Sequence, residues 1–243
     1  MPTVDVGALY RGARTGGDFF DFAAAGPSRM LVMLLDIAGR RDEALDIAAQ
    51  IQDVFRARAG EIFAAADLNE ADAVTRMALE LNRAVISAAG GVRCAPGFVG
   101  CYNEVLGTLC YVNAGHTPAL LRDGSGISAL DPNGLPLGLF SHATHDAMMC
   151  ALPPHSTLLL VSRGLVEAKG GGEEFGLERV KKSLSGASTT AAQEVCVRVL
   201  DDVKTFLETA RKRGLLRRGT RGPIAETDPL GDNDATTLAL VRG

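Results

Sequence analysis

No apolar run in the 243 residues approaches the length of a membrane span, and the first residues lack the charged-then-apolar pattern of a signal peptide. The five cysteines, Cys94, Cys101, Cys110, Cys150 and Cys196, are odd in number and form no CxxC pair, which argues against a zinc site or a disulfide framework. His142, His145 and His155 stand at no metal-ligand spacing from any carboxylate. The glycine runs at 124–126 and 170–172 lack the strand-to-helix setting that a phosphate-binding loop requires. An excess of positive charge is missing too: the net charge of −4 offers no electrostatic reason for a nucleic-acid partner. Internal repeats and low-complexity tracts are absent. The expectation is a soluble, cytoplasmic globular protein without nucleic-acid or membrane partners.

What is present divides by period. Thr3 to Tyr10 alternates loosely, and "DFFDFAA" and "RMLVMLLD" (29–36) follow as two further strands around the turn-like "AGPS". Leu45, Ala48, Ile51, Phe55 and Ala59 then share one helical face, with Gly60 placed to close that helix. Asp67 and Glu70 have the spacing of a capping box. Val74, Met77, Leu81, Val85 and Ala88 continue as a second helix up to Gly90-Gly91. Phe98 to Leu121 reads as a hairpin about Gly107, followed by short strands at 127–130, 144–151 and 157–161. A third helix fits Thr190 to Lys212, with Val195, Val199, Val203 and Phe206 inward, and "DATTLALV" supplies a last strand. Strands in runs, without regular strand-helix alternation, imply antiparallel sheets covered by helices. Residues 211–231 are basic and then rich in Gly and Pro, which predicts a solvated loop or a docking patch for an acidic partner.

Acids and glycines coincide at three strand ends: "TGGDFFD" (15–21), "LLDIAGR" (34–40) and "GDNDATT" (231–237). One such acid is ordinary turn chemistry; several brought together could share a hard cation such as Mg²⁺ or Mn²⁺. In order along the chain come "GGDFFDF", "LLDIAG", "TLCYVNAGHTPALLR", "GLPLGL", "LLLVSRGLVEAKGGGEEFGLERV" and "DNDATTLALVR". Together they resemble the metal-dependent protein phosphatases (PPM, type 2C), in the branch of SpoIIE and RsbU, from about residue 4 to 242. The resemblance implies an α+β fold, an α-β-β-α sandwich of two antiparallel sheets flanked by helices, with residues 1–243 forming one domain. It also implies a binuclear Mg²⁺/Mn²⁺ centre that activates water against phosphoserine or phosphothreonine, with small STAS-domain regulators of sigma-factor pathways as substrates. The chain starting so near the first strand suggests that no helical or sensor segment precedes it.

Carried across position by position, the family's metal-binding residues correspond to Asp18, Asp36 and the carbonyl of Ile37, all retained. Two others are replaced: Arg163 stands where the family has an aspartate, and so does Asn233. Asp234 and Thr236 match the rest of that last motif; Asn233 and Asp234 are candidate partial substitutes at the metal, and Asp234 or Asp232 is available as a replacement ligand. Gly39 is kept, whereas Arg40 and Arg41 depart from the pattern. Both lost aspartates hold the same ion in the family. A dication ~4 Å from Arg163 would meet up to ~8 kcal/mol of repulsion at an effective dielectric of ~20. Arginine does not escape by losing its proton. Three readings of Arg163 stand open: a side chain turned to solvent, a phosphate receptor, or a lock whose guanidinium fills the metal's place and pairs with Asp36 or Asp18 inside a closed acidic pocket. The lock is the expectation, because two facing acids without a cation would repel. His116, in "NAGH", matches the family and is expected as a hydrogen-bonded turn residue behind the site. The expected function is a degenerate SpoIIE-type phosphatase, impaired in catalysis, holding one Mg²⁺ or Mn²⁺ weakly or none, and acting by binding a STAS/anti-sigma regulatory protein. The alternative is an active phosphatase with a reduced metal site.

Overall fold

The computed structural model describes residues 4–12, 17–26, 28–37, 41–90, 93–187, 191–218 and 234–243, with side chains described for all of these except 41–42 and 214–218. Strands β1 (Val4–Arg11), β2 (Asp18–Ala25) and β3 (Arg29–Asp36) lead into helices α1 (Arg41–Ile62) and α2 (Glu70–Ala88). Strands β4 (Gly97–Asn103), β5 (Thr108–Ala114), β6 (Ala119–Asp123), β7 (Gly126–Leu130), β8 (Met148–Ala151) and β9 (Thr157–Val161) come next. The chain then forms α3 (Arg163–Val166), a ribbon of β10 (Lys169–Gly170) and β11 (Glu173–Glu174), α4 (Gly176–Ser185), α5 (Ala192–Arg218) and β12 (Ala235–Arg242).

Two five-stranded sheets, in the orders β1-β12-β9-β6-β7 and β2-β3-β4-β5-β8, are antiparallel throughout. The apolar run of β3 is unbroken because both faces of that strand are covered. Leu31, Met33 and Leu35 pack beneath α1 and α2 with Phe55 and Met77, while Val32 and Leu34 face the other sheet. Leu158, Leu160, Leu238 and Leu240 close that middle layer from the opposite side. The outer face of their sheet buries Leu159, Val161 and Ala239 against Val195, Val199 and Val203 of α5. The result is the expected helix-sheet-sheet-helix layering.

Several local expectations are corrected. Helix α1 passes through Gly60, where an added Cβ would touch nothing, so this glycine does not end it. Leu45 is 55% exposed, because the start of α1 lies along β2, an edge strand with no neighbour beyond it among the described residues. The cap of α2 is Asn69, whose side chain accepts from the N–H groups of Ala71 and Asp72 at 3.1 and 3.3 Å. Glu70 instead turns inward, accepting from Arg29 Nε at 2.7 Å and from Asn103 Nδ2. The Arg29 guanidinium also donates to the carbonyls of Ala65 and Ala66, each at 2.9 Å, tying the α1–α2 connection to the sheet. The stretch 144–151 pairs as a strand only from Met148. Helix α4 and the β10–β11 ribbon are additions to the expected elements, and residues 211–218 of the expected loop prolong α5; residues 219–231 lie outside the described residues.

Candidate active site

Four strand ends meet at one edge of the sandwich: the starts of β2 and β12 and the ends of β3 and β9. Antiparallel pairing sets Asp18 of β2 directly opposite Asp36 of β3. Like charges in that position destabilise a sheet unless something compensates. Asp234, the residue before β12, brings a third carboxylate: its charge bears on both Asp18 and Asp36. Arg163 lies just past the end of β9, and its Nε is 3.1 Å from Asp36 Oδ2. Asp18, Asp36, Asp234 and Arg163, far apart in sequence, are thus brought together. Asn233 and Asp232 lie outside the described residues, as do Gly39 and Arg40.

Gly17 explains how close the chains come. Its carbonyl accepts from Ile37 N–H at 2.6 Å, and a Cβ there would sit 2.7 Å from the Ile37 carbonyl oxygen and 3.8 Å from Asp36 Oδ1. The Ile37 carbonyl and the free side of the Asp36 carboxylate therefore face the same small space. A second glycine, Gly164, lies under Asp234, where a Cβ would fall 2.0 Å from the Asp234 carbonyl oxygen. No larger residue fits at either place.

Each acid already has partners. Asp18 Oδ2 accepts from the Thr236 hydroxyl at 2.8 Å, and Ser162 also hydrogen-bonds this carboxyl. Asp234 accepts from Tyr10 Oη at 2.7 Å and from Gly17 N–H at 3.0 Å. Ser162 binds Thr236 twice: its Oγ accepts from the Thr236 N–H and its own N–H donates to the Thr236 carbonyl, both at 3.0 Å, which locks β9 to β12 at the site. Tyr10 carries no signal in the sequence, being one tyrosine in an edge strand. Ser162 is legible only as the polar residue before Arg163.

Burial pushes Asp18 up to about 7, against the hydrogen bonds from Ser162 and Thr236 and with the charges of Asp36 and Asp234. Asp36 is also raised, by burial first; Arg163 opposes this and Asp234 adds to it. The cluster carries more negative charge than Arg163 neutralises. The expected closed pocket is not what forms, however: the Arg163 side chain is 57% exposed and that of Asp36 13%. Arg163 caps the cluster from the solvent side. Exposure limits this pair to the ~0–1 kcal/mol of a surface salt bridge, below the roughly 3–5 kcal/mol lost on breaking a buried one.

His116 is buried. Its backbone N–H donates to Asn113 Oδ1 at 2.9 Å, and Nδ1 lies 3.2 and 3.1 Å from the carbonyl and hydroxyl oxygens of Thr117. Burial, with the nearby Arg163 charge, pulls its pKa down to about 4, so the ring is neutral at pH 7. The Thr117 hydroxyl donates in turn to the Val161 carbonyl at the end of β9. His116 thus stands behind the strand that delivers Arg163.

Among the described residues, no group of three or more His, Cys, Asp or Glu side chains is close enough together to hold a metal ion. Asp18 and Asp234 are held by hydroxyl and N–H donors and Asp36 faces a guanidinium; Asp18, Asp36 and the Ile37 carbonyl are the described groups that could hold an ion.

A family profile described as Stage II sporulation protein E matches residues 26–213, well over half of the chain. The chain belongs to the SpoIIE family. Solved structures agree on the fold. The PP2C phosphatase domain and a regulatory fragment of SpoIIE from Bacillus subtilis align with a TM-score of 0.71 at 16% identity, covering 98% of this chain and 61% of that one. The RsbU and RsbW domains of a Mycobacterium tuberculosis protein align with a TM-score of 0.68 at 22% identity, again over 98% and 61%. The catalytic domain of the serine/threonine phosphatase PstP, solved with two manganese ions, aligns at 0.60 and 12% identity over 98% of both chains. This SpoIIE-family chain therefore spans 61% of the length of each of the first two relatives. No curated protein matches its sequence. No helix among the described residues is long and apolar enough to cross a membrane.

Proposed function

We propose that this SpoIIE-type phosphatase domain is impaired in hydrolysis and acts in bacterial signalling by binding a regulatory protein of the STAS/anti-sigma kind. The observation that carries the reading is the Arg163–Asp36 ion pair at 3.1 Å, at a strand end where the family resemblance calls for an aspartate. A permanently charged guanidinium there disfavours a divalent ion by charge, and the replacement also removes one of its ligands. What remains for a single Mg²⁺ or Mn²⁺ is Asp36, the Ile37 carbonyl and Asp18, an arrangement that would bind one ion weakly or none. Asn233, where the resemblance calls for a second aspartate, weakens that position further. With hydrolysis impaired, recognition of a phosphorylated or unphosphorylated regulator is the function left to the surface, and residues 1–243 act as one domain in it.

A second reading, an active phosphoserine/phosphothreonine phosphatase with a reduced metal site, is favoured by two features. Asp234 lies close enough to act on both other carboxylates, and the exposed Arg163 side chain has room to swing aside. Calorimetry with Mn²⁺, paired with hydrolysis of p-nitrophenyl phosphate in millimolar Mn²⁺, separates the two. Impairment predicts weak or undetectable binding and near-background turnover; robust turnover abolished by Asp36→Ala would establish the second reading instead.

A further inference from the structure

On the opposite helical layer, a groove of about 960 Å³ opens between α4, α5 and the β10–β11 ribbon. Its floor is apolar. Phe206 meets Phe175 edge-on at 5.6 Å, and the Arg179 guanidinium sits 4.7 Å over its ring. The ribbon presses close: a Cβ at Gly170 would come within 2.9 Å of Ala210 and 3.0 Å of Phe206. The lining residues of α5 recur at spacings of three and four, from Asp202 through Thr205, Phe206 and Thr209 to Ala210. That spacing marks one helix face. The face carrying Val195, Val199, Val203 and Leu207 is spent on the sheet, so α5 presents a second face that α4 and the β10–β11 ribbon cover only in part.

Cations outnumber acids at this groove. Arg179 and Lys182 on α4 and Arg198 and Arg213 on α5 face it, against Glu173 and Asp202, in a chain whose net charge is −4. Glu173 holds Arg179 at 2.8 Å, and Asp202 lies 4.0 Å from Arg198. Lys182 and Arg213 have no ion-pair partner among the described residues, and Arg211 and Lys212 continue the basic run along α5. At 1.5 Å per residue, Arg198 and Arg213 stand roughly 22 Å apart along the helix. One phosphate cannot reach both. A polypeptide segment of several residues can, placing apolar side chains on Phe206 and Ala210 and acids at the rim.

We propose that this groove docks an acidic, apolar-centred segment of a partner protein. The inference goes beyond the phosphatase reading and does not depend on the state of the Asp36 site. The probe is a fluorescein-labelled peptide rich in glutamate and leucine, titrated with the full chain and followed by fluorescence anisotropy. Saturable binding is expected, weakening with added salt. Lys182→Glu with Arg213→Glu should weaken it about tenfold or more. Ala210→Trp, which fills the floor without altering charge, should weaken it as well, and circular dichroism should show every variant folded. Arg163→Ala should leave binding unchanged, so a failure here is distinct from a failure of the catalytic reading. Absence of binding, or affinity indifferent to the groove variants, overturns the proposal. So does tighter binding of ATP, inorganic phosphate or phosphatidylserine vesicles with the same dependence on Lys182 and Arg213.

Discussion

Asp18→Asn should make the protein more stable, and the gain should depend on pH. The substitution keeps the shape and an oxygen to accept from Thr236, and removes the charge. Burial holds the Asp18 carboxyl at about 7 against an ordinary 3.8, so the native state binds this proton more tightly than the unfolded chain does. The sign comes from linkage. Where the native state holds the extra proton, stability falls as pH rises. The penalty is absent below 3.8, grows across the interval up to about 7, and is complete above it. At about 1.36 kcal/mol for each tenfold in proton affinity, that interval is worth roughly 4 kcal/mol as a ceiling. In chelator at pH 8 the variant should therefore exceed wild type by about 2–4 kcal/mol, or roughly 5–15 °C in Tm for a chain of this size. The gap should close toward pH 4. Urea titrations and thermal melts from pH 4 to 8 measure it. A variant no more stable than wild type at pH 8, or a gap that does not change with pH, would refute the account of Asp18 as a buried carboxylate short of compensating charge.

Arg163→Ala should cost about 1 kcal/mol at pH 7, as suits a guanidinium open to solvent, and added Mg²⁺ should recover part of that loss. A urea midpoint shift equivalent to about 3 kcal/mol or more would show the pair to be buried in solution. Arg163→Asp with Asn233→Asp should raise Mn²⁺ affinity and hydrolysis of p-nitrophenyl phosphate together, each single change doing much less because both act on one ion. Full recovery from Asn233→Asp alone would show that Arg163 blocks nothing. Glu70→Gln should cost about 3 kcal/mol by stranding Arg29 in a buried setting, whereas Arg29→Met with Glu70→Leu should lose much less; equal losses in chemical denaturation would contradict this.

Periodicity determined a good deal on its own. The unbroken "LVMLL" run and the helical stripe from Val74 to Val85 bury the residues their patterns mark, because burial on a strand or helix face is a local, repeating requirement. The family pattern also placed Asp18, Asp36 and Arg163 in one neighbourhood, since its motifs fall at the strand ends that the fold gathers. Short elements escaped: α4 and the β10–β11 ribbon are too brief to establish a period, and the inward turn of Glu70 depends on an arginine 41 residues away. Tertiary structure alone decided the chemistry of the cluster. Strand register set Asp18 against Asp36, Gly17 and Gly164 let the chains approach, and Tyr10, Ser162 and Thr236 met the carboxylates with hydrogen bonds. It also decided that Arg163 covers the acids from outside rather than lying buried between them. A sequence names the charges, but their energies depend on how much water each retains, and that is settled only when the strands have packed.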